Sequence, residues 1–387
     1  MPSLPKKPSL KIAYVLDGGL EKPDGVQQYI LALGAWMKSQ GHSVRYLVSG
    51  KIALGIEDGI SLSRSMKVIS NGNRLSIPLP ANRHHLKQVL DKEKFDVLHV
   101  QTPYSPMMGE QLIFLSPKET AVIGTFHIVP KNTLLAVGNW LLGHYCYFSL
   151  KHFDKMLSVS SAAQRIAERD FKISSDVSPN VIDYEKFHNA KPFEQYQDGK
   201  LNILFFGRLV PRKGCGILLR AIKLLKGRGV NNIRVIVCGA GPQERELKNY
   251  ACNNGLDDAI EFKGFIEEAD KPRYYASADL SVFPSTGGES FGIVLLEAMA
   301  SGKAAVLGGD NVGYRSVLSP QPELLFDPKD IDTLANKIAE LLKNKELRSS
   351  YADWAQEYSQ TFDVNVVCQE IEDLYIQTVC EKQSDRR

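Results

Sequence analysis

The segment from Leu280 to Leu307 reads LSVFPSTGGESFGIVLLEAMASGKAAVL, and it decides the fold class. Its opening residues, Leu280–Phe283, form an apolar run that predicts a buried strand. A glycine-rich turn follows, and Ser290 can cap a helix that begins at Phe291. Another apolar run, Ala304–Leu307, predicts a second strand after the helix. Strand, helix and strand in this order indicate a βαβ unit, which belongs to a parallel sheet.

The same alternation of strand and helix patterns continues on both sides of this segment. Before residue 174, the further predicted strands are Leu10–Leu16, Ser43–Val48, Phe95–Gln101, Ala121–Thr125 and Lys155–Val159. After residue 200, they are Leu201–Phe206, Ile233–Cys238 and Ile260–Phe262. The polar, proline-containing stretch Ser174–Lys200 separates the two series and predicts a domain boundary near residue 180. The sequence therefore predicts an α/β fold with two Rossmann-like, doubly wound domains facing a central cleft, where ligands of such sheets bind.

The composition excludes several classes of protein. With 43% hydrophobic and 24% charged residues among 387, the chain is not disordered, collagen-like or a disulfide scaffold. Its 47 Lys and Arg against 44 Asp and Glu give a net charge of +3, too small for a general nucleic-acid binder. The six cysteines lack zinc-binding and C-x-x-C spacings and no signal peptide is evident, which predicts reduced thiols in a cytoplasmic protein. The uncharged segment Thr133–Leu150 is interpreted as a buried helix, because its polar residues are costly within a membrane.

The glycine-rich turn and the helix after it predict an anion site. Free backbone N–H groups lie at Phe291, Gly292 and Ile293. The carboxylates of Glu289 and Glu297 lie close by, which is an odd arrangement for a ligand that is only a phosphate. Carboxylates accept hydrogen bonds from hydroxyl groups well, so a neutral polyol beside the phosphate explains them. The segment therefore predicts a nucleotide sugar as the ligand; the alternative is an ordinary turn and helix with a solvated Glu297.

A second candidate loop, Phe206–Gly214 with the sequence FGRLVPRKG, directly follows a predicted strand. Its Arg208 and Lys213 can neutralise a diphosphate leaving group, a task often given to a metal ion. The alternative is a solvated basic loop. The pair Asp330 and Asp332 precedes a helical pattern and predicts helix capping, so no metal is expected.

The first half of the chain carries two further candidates. Gly25 lies at the start of the helix after the first strand, where a phosphate or sugar can approach the backbone closely. His127 follows the strand Ala121–Thr125, so it lies at the carboxyl end of the predicted sheet. A single histidine is often structural, and that alternative stays open for His127.

Together these segments resemble the retaining glycosyltransferases of family four, which have the GT-B fold. Within that family the chain is most similar to the phosphatidylinositol α-mannosyltransferases. The run from Gly287 to Ala300 matches the E-x7-E motif of the family, with Glu289 and Glu297 as its carboxylates. The resemblance implies an enzyme that moves a hexose, mannose from GDP-mannose, to a lipid acceptor such as phosphatidylinositol, with no cofactor and no metal.

The resemblance also implies a role for each candidate residue. Glu289 would bind hydroxyl groups of the donor sugar, and Glu297 the ribose. The residues expected to take part in catalysis are His127, Arg208, Lys213 and Glu289. Further donor contacts would come from Gly25, Ser290, Phe291, Gly292 and Ile293, and acceptor contacts from Asp24, Gly25 and His127. Residues 1–180 would bind the acceptor, residues 181–359 would bind the nucleotide sugar, and a helix in residues 360–387 would return to the first domain.

Two positions depart from the family pattern. The usual Pro-Gly-Gly-Val loop reads Pro-Asp-Gly-Val here, with Asp24 where a glycine is common. The interdomain Pro-Asn-Gly motif has Val181 in place of its glycine. These departures keep a non-enzymatic nucleotide-sugar binder open as an alternative. A transferase that uses a UDP-sugar or a non-lipid acceptor also stays open, as does a nucleotide-sugar epimerase.

A helical pattern between Ala81 and Phe95 is the candidate membrane contact. Arg83, Lys87 and Lys94 fall on one stripe, and the apolar residues Leu86, Val89 and Leu90 fall on the adjoining arc. Basic residues beside apolar ones suit the anionic headgroups of a membrane surface, so the protein would be peripheral on the inner face of the plasma membrane. The alternative is a surface helix that packs its apolar arc on the sheet.

Overall fold

A computed structural model describes residues 7–21, 25–70, 73–127 and 141–384 of the chain. The chain divides into two compact units, the first made of residues 1–181 and 364–387 and the second of residues 182–363. The boundaries expected from the sequence, at 180/181 and 359/360, lie one and four residues before these limits. The C-terminal segment therefore belongs to the first unit.

Each unit is built on a parallel sheet. The strands of the first unit are β1 (Lys11–Leu16), β2 (Ser43–Ser49), β3 (Gly59–Ser63), β4 (Ser65–Ser70), β5 (Asn73–Pro78), β6 (Val97–Gln101), β7 (Ala121–Phe126), β8 (Lys155–Ser158) and β9 (Asp176–Val177). Those of the second unit are β10 (Leu201–Phe206), β11 (Ile233–Cys238), β12 (Ile260–Gly264), β13 (Leu280–Phe283), β14 (Ala305–Gly309) and β15 (Leu325–Phe326). The first sheet has the order β3-β2-β1-β6-β7-β8-β9 and the second the order β12-β11-β10-β13-β14-β15, while β4 and β5 pair with each other antiparallel.

Helices connect the strands and cover the sheets. They are α1 (Gly25–Ser39), α2 (Arg83–Glu93), α3 (Met108–Leu115), α4 (Tyr147–Leu150), α5 (Ser161–Phe171), α6 (Tyr184–His188), α7 (Cys215–Gly227), α8 (Glu244–Asn253), α9 (Lys271–Ala276), α10 (Ile293–Ser301), α11 (Val312–Leu318), α12 (Ile331–Lys343), α13 (Lys345–Ser359) and α14 (Val364–Ser384). Residues 141–145 are also helical. The prediction of two doubly wound α/β units is confirmed.

The first sheet is buried on both faces, because successive side chains of a strand point to opposite sides. Ile12 and Tyr14 of β1 pack in a core that includes residues of α1 and α14. Ala13 and Val15 of the same strand pack in a second core that includes residues of α2 and α3. The central strands are therefore apolar at nearly every position.

In each sheet the strand order reverses beside the unit's first strand, between β1 and β6 and between β10 and β13. Ligands of doubly wound sheets bind at the carboxyl ends of the strands that flank this reversal. In the second unit β10 leads into residues 207–214 and β13 leads into residues 284–292. The fold thus brings the two candidate loops of this unit to one place.

The expectation of a buried helix at Thr133–Leu150 is confirmed as a helix over most of its described part, residues 141–150, but it is wrong as to burial, because only one side is buried; residues 133–140 lie outside the described residues. The side chains of Leu141, Tyr145 and Phe148 are 57%, 66% and 71% exposed, whereas Cys146 is fully buried. The segment packs on the unit through its opposite side, which leaves these three large apolar side chains outside.

The helix predicted for Ala81 to Phe95 is shorter than expected. It is α2, with Asn82 as its N-cap, and Lys94 ends it in a left-handed conformation with a φ of 51°. Lys94 therefore does not share a helical stripe with Arg83 and Lys87, although all three side chains are exposed. The expectation that the apolar residues of this helix take part in a membrane contact is wrong for Leu86 and Leu90, because both are buried in the core.

Among the helices in the described ranges, none combines the length and the apolar character that crossing a membrane requires.

Candidate functional site

A cluster of charged side chains in the second unit joins the two candidate loops. The Glu289 carboxylate accepts hydrogen bonds from Arg212 Nη1 at 2.7 Å and from Ser285 Oγ at 2.8 Å, and it lies 2.9 Å from Lys213 Nζ. The two loops are also joined through their backbones, because the Arg212 carbonyl accepts a hydrogen bond from the Thr286 N–H at 2.9 Å. The structure therefore brings Lys213 and Glu289, which the sequence assigned to one site, into direct contact.

The charge of Glu289 is set by its cationic neighbours. Burial raises the pKa of its carboxyl, but Lys213 and Arg212 outweigh this effect and hold the pKa below its usual range. Glu289 therefore stays ionised at neutral pH. A largely buried carboxylate that keeps its charge is a strong acceptor for hydroxyl groups, which is what the nucleotide-sugar prediction requires of this residue.

The helix after the glycine-rich turn begins two residues later than expected. Its first residue is Ile293, and its N-cap is Gly292, which makes no side-chain cap hydrogen bond and has a φ of 128°. The expectation that Ser290 caps a helix starting at Phe291 is therefore wrong, because the chain adopts a conformation at Gly292 that only glycine takes without strain. The first turn of α10 is still a position where backbone N–H groups bind anions, but Phe291 lies before it.

Helix α11 supports the glycine-rich loop. Its N-cap, Asn311, donates from Nδ2 to the Ser285 carbonyl at 3.1 Å, and Asn311 Oδ1 accepts from the Tyr314 N–H at 3.0 Å. Gly313 lies so close to the loop that a Cβ there would come 2.2 Å from the Glu289 carbonyl oxygen. The backbone that carries Glu289 is thus fixed by residues that the sequence analysis missed.

Glu297 lies in a second, separate ion pair. Lys271 Nζ is 2.6 Å from its Oε1, and the Tyr275 hydroxyl donates to its Oε2 at 2.8 Å. Burial lowers the pKa of the Lys271 amine, but the Glu297 charge more than offsets this and the pKa is raised. The two motif glutamates therefore have different partners and do not form one carboxylate pair. The contact of Glu297 with a ribose stays a prediction.

The loop after β10 supplies the cations. Arg208 lies two residues after the end of the strand and its side chain is exposed, whereas Arg212 and Lys213 are half-buried. The sequence analysis missed Arg212. Its place next to Lys213 could have identified it, because adjacent residues of the short 3₁₀ turn Pro211–Lys213 can reach one carboxylate together.

In the first unit, His127 lies at the end of β7, as predicted. Its Nε2 is 2.7 Å from Oε1 of Gln101, the last residue of the neighbouring strand β6, and its ring contacts Tyr29 edge to face. Burial lowers the pKa of the His127 ring to about 3, so the ring is neutral at physiological pH. With the Gln101 amide assigned in this orientation, Nε2 carries the proton and Nδ1 is left as a hydrogen-bond acceptor.

A polar network surrounds this histidine. Gln101, which the sequence analysis did not single out, is buried, and its Nε2 has no hydrogen-bond partner in the described part of the chain. On β6, His99 contacts Thr125 Oγ1 at 2.6 Å through Nε2 and the Tyr375 hydroxyl through Nδ1. His99 is fully buried and both of its ring nitrogens are engaged, so the polar side chains of this network that remain for a polyol at the carboxyl end of the first sheet are Gln101 and His127.

The remaining candidates of the first unit lie at the start of α1. Gly25 is its first residue and is exposed, so its backbone is open to a ligand. Asp24 lies outside the described residues, and its role at the acceptor side stays a prediction.

Within the described residues, no group of three or more His, Cys, Asp and Glu side chains could hold a metal ion. Asp330 caps α12, as predicted, and accepts a hydrogen bond from the Thr333 N–H at 2.9 Å. Asp332 pairs instead with Arg228, at 2.9 Å.

The chain matches known proteins along nearly its whole length. The family model described as "Glycosyltransferase Family 4" matches residues 23–186, and the model described as "Glycosyl transferases group 1" matches residues 187–358. The phosphatidyl-myo-inositol mannosyltransferase of Mycolicibacterium smegmatis is 29% identical over 371 residues, which are 95% of this chain and 93% of the relative. The GDP-mannose-dependent alpha-(1-6)-phosphatidylinositol monomannoside mannosyltransferase of Mycobacterium tuberculosis is 29% identical over 185 residues, 45% of this chain and 48% of the relative.

The architecture agrees with a solved structure. Anabaena Alr3699/HepE in complex with UDP superimposes with a TM-score of 0.74 at 19% identity, covering 94% of this chain and 99% of that protein. The two family models lie end to end, and they meet at 186/187, close to the boundary between the units at 181/182. With two parallel, doubly wound sheets and both family models in order, the chain belongs to the glycosyltransferases of family four, and it is an enzyme with the GT-B fold.

Proposed function

We propose that the chain transfers mannose from GDP-mannose to phosphatidylinositol, with retention of configuration at the sugar carbon C1. The observation that carries this proposal is the ionised Glu289 between Lys213 and Arg212, beside the first turn of α10. The cations match a diphosphate, and the carboxylate matches sugar hydroxyl groups. The names of the relatives support this donor and this acceptor.

The reaction is a substitution at C1 of the donor sugar. The bond from C1 to the diphosphate oxygen breaks, and a bond from C1 to an acceptor hydroxyl oxygen forms on the same face. The hydroxyl proton passes to the leaving diphosphate. Arg208 and Lys213 neutralise the negative charge that grows on the diphosphate, and the N–H groups at the start of α10 add to this stabilisation.

Other residues position the sugar and make a metal unnecessary. Nδ1 of the neutral His127 accepts a hydrogen bond from a hydroxyl of the transferred sugar, and Gly25 lets the donor or acceptor approach the backbone. Because two cations take the place of a metal ion at the diphosphate, the reaction proceeds without one. A lipid acceptor implies that the enzyme acts at a membrane surface, and we propose that this is the cytoplasmic face.

The first test replaces one carboxylate oxygen. Glu289→Gln should bind GDP nearly as the parent does but lose transfer by about 100-fold or more, because the sugar contact is lost while the helix start remains. Calorimetry with GDP and a transfer assay with radiolabelled GDP-mannose measure the two effects. A loss of GDP affinity as large as the loss of rate would contradict the assigned role.

The second test concerns the donor and the metal. Thermal shifts with GDP, UDP, ADP and their sugar conjugates should be largest for GDP-mannose. Arg208→Ala and Lys213→Ala should weaken GDP binding and slow transfer, whereas Lys223→Ala, an exposed lysine of α7, should change neither. Transfer should survive EDTA. Preference for a UDP-sugar, donor epimerisation without transfer, or a strict need for magnesium would each overturn part of the proposal.

A further inference from the structure

Two side chains at the carboxyl end of the first sheet meet on one side of it. Gln101 is the last residue of β6 and pairs in register with Thr125 of the parallel strand β7. His127 follows Thr125 by two residues, and side chains two apart along an extended chain lie on one face. The strand register therefore brings the Gln101 amide to the His127 ring, and Gln101 Oε1 lies 2.7 Å from His127 Nε2.

The backbone directly after Gln101 is in an uncommon conformation. Thr102 has a φ of 55°, in the left-handed region that a β-branched residue rarely adopts. Its N–H donates to the Thr125 carbonyl at 3.1 Å, and its carbonyl accepts a hydrogen bond from the Ser105 N–H at 3.0 Å. Strained backbone persists only where the surrounding structure holds it, and it is concentrated at functional sites. The end of β6, and with it Gln101, is thus fixed against β7.

The Gln101 amide is only partly satisfied by hydrogen bonds. The residue is 1% exposed, and its Nε2 has no hydrogen-bond partner within the described ranges. A buried amide donor without a partner destabilises a fold, and an apolar side chain avoids that cost. Stability alone therefore does not account for a glutamine at this position. Among the described residues, the hydrogen bond that its side chain makes goes to His127.

This hydrogen bond determines what the His127 ring offers to a ligand. A neutral imidazole has one N–H donor and one acceptor nitrogen, and the hydrogen bond at one nitrogen decides which is which. An amide oxygen only accepts, so it places the proton on Nε2 and leaves Nδ1 as the acceptor. The edge-to-face contact with the Tyr29 ring, 5.4 Å away between centroids, supports the His127 ring but favours neither tautomer.

Hydrogen bonding, rather than a neighbouring charge, sets the state of this ring in the described part of the chain. Two other titratable side chains lie near His127: Tyr29 on α1 and His99 on β6. Burial raises the pKa of Tyr29 and lowers that of His99 to about 3, so neither is charged at neutral pH. Burial also keeps the His127 ring itself neutral.

We propose that Gln101 is a positioning residue for the transfer, whose amide oxygen fixes the orientation and the tautomer of the His127 ring. In this tautomer Nδ1 accepts a hydrogen bond from a hydroxyl of the transferred sugar. With the proton on Nδ1, the ring would present an N–H to this hydroxyl and could no longer accept from it. The inference rests on the proposed function and deepens it, since it assigns the residue that makes His127 an acceptor there.

The first test removes the amide in the full chain. Gln101→Leu should lower the kcat of transfer by about tenfold or more, because the ring is no longer held in one tautomer. GDP affinity should stay unchanged, since the nucleotide is assigned to the second unit. The matched control is Gln356→Leu, a half-buried glutamine whose amide donates to the Tyr184 hydroxyl at 3.1 Å, and it should keep the kcat of the parent. Circular dichroism checks that each variant is folded.

Gln101→Glu separates positioning from packing. A carboxylate also accepts from Nε2–H, so this variant should recover at alkaline pH part of the activity that Gln101→Leu loses. Its negative charge favours the protonated ring and raises the pKa of His127, and a protonated ring cannot accept from the sugar hydroxyl. The pH below which transfer is lost should therefore move upward from that of the parent, by about one unit or more. An unchanged acid limb would contradict the assigned contact.

Nitrogen-15 spectra of the histidine-labelled protein report the tautomer directly and require no substrate. The His127 signals, identified by their loss in His127→Gln, should show the proton on Nε2 in the parent and a mixture of both tautomers in Gln101→Leu. The proposal is overturned if the parent carries the proton on Nδ1, or if Gln101→Leu keeps the tautomer or the kcat of the parent. A parent that is inactive with GDP-mannose but gives the expected spectra would overturn the proposed donor, while the spectra would still support the role of Gln101.

Discussion

The neutral ring of His127 leads us to expect that the stability of the folded protein depends on pH. Its pKa, and that of His99, is lowered to about 3 by burial. In the unfolded chain both rings regain the ordinary value near 6.5, so between these values the unfolded chain binds protons that the folded chain does not. The stability that the neutral rings contribute is therefore complete above pH 6.5 and is lost as the pH falls towards 3.

We expect the free energy of unfolding to fall on acidification with a contribution from His127. His127→Gln cannot take up this proton, so the variant should lose less stability between pH 7 and pH 5, by up to about 1.4 kcal/mol per pH unit. Urea unfolding of both proteins at the two pH values measures the difference. Equal losses would mean that the ring is protonated in the folded protein.

The identities of the residues were enough to predict much of the candidate site, but not the contacts between its side chains. Lys213 and Glu289 follow the ends of β10 and β13, and motif spacing was enough to assign them to one site. The prediction that Ser290 caps the helix was wrong because Gly292 has a positive φ and the helix begins only after it. The spacing of residues in a sequence does not reveal such a backbone angle. Gln101 was missed, although a polar residue at the end of an apolar strand was the same signal that identified His127.

At the scale of elements, α2 keeps its cations exposed and its apolar residues inside. Leu86 and Leu90 belong to the core, so α2 can offer a membrane only charge. We therefore expect Arg83→Ser with Lys87→Ser to reduce binding to anionic vesicles at low salt and to have little effect at high salt, where charges are screened. GDP affinity should be unchanged. Vesicle co-sedimentation at two salt concentrations measures this, and a loss that persists at high salt would contradict a purely electrostatic role.

The central strands and long helices were predictable because they repeat a simple apolar pattern. β10, β11 and β13 have the predicted limits, since a strand buried on both faces is a continuous apolar run. The edge strands β3 and β15 and the short helix α11 were missed. Their residues are few or mixed in polarity, and their structure depends on neighbours that are distant in the sequence.

At the scale of the whole molecule, α14 closes a core that it shares with the first residues of the chain. Val367, Ile371 and Tyr375 pack there with residues of β1 and α1. Deleting residues 364–387 should therefore unfold the first unit and leave residues 182–363 folded. Hydrogen exchange read by mass spectrometry distinguishes the two units. Tyr375→Phe, which keeps the ring and loses the hydroxyl that contacts His99 Nδ1, should cost about 1 kcal/mol. Protection of both units in the truncated chain would contradict this account.

The discontinuous first unit also fixes an order of events during synthesis. β1 leaves the ribosome before the second unit, and α14 leaves it after the second unit. The second unit can therefore fold while the first still lacks the helix that covers part of its core. Until α14 emerges, apolar side chains that it covers in the folded unit, such as Ile12 and Tyr14, lack this partner, and we expect chaperones to bind the nascent chain at this stage.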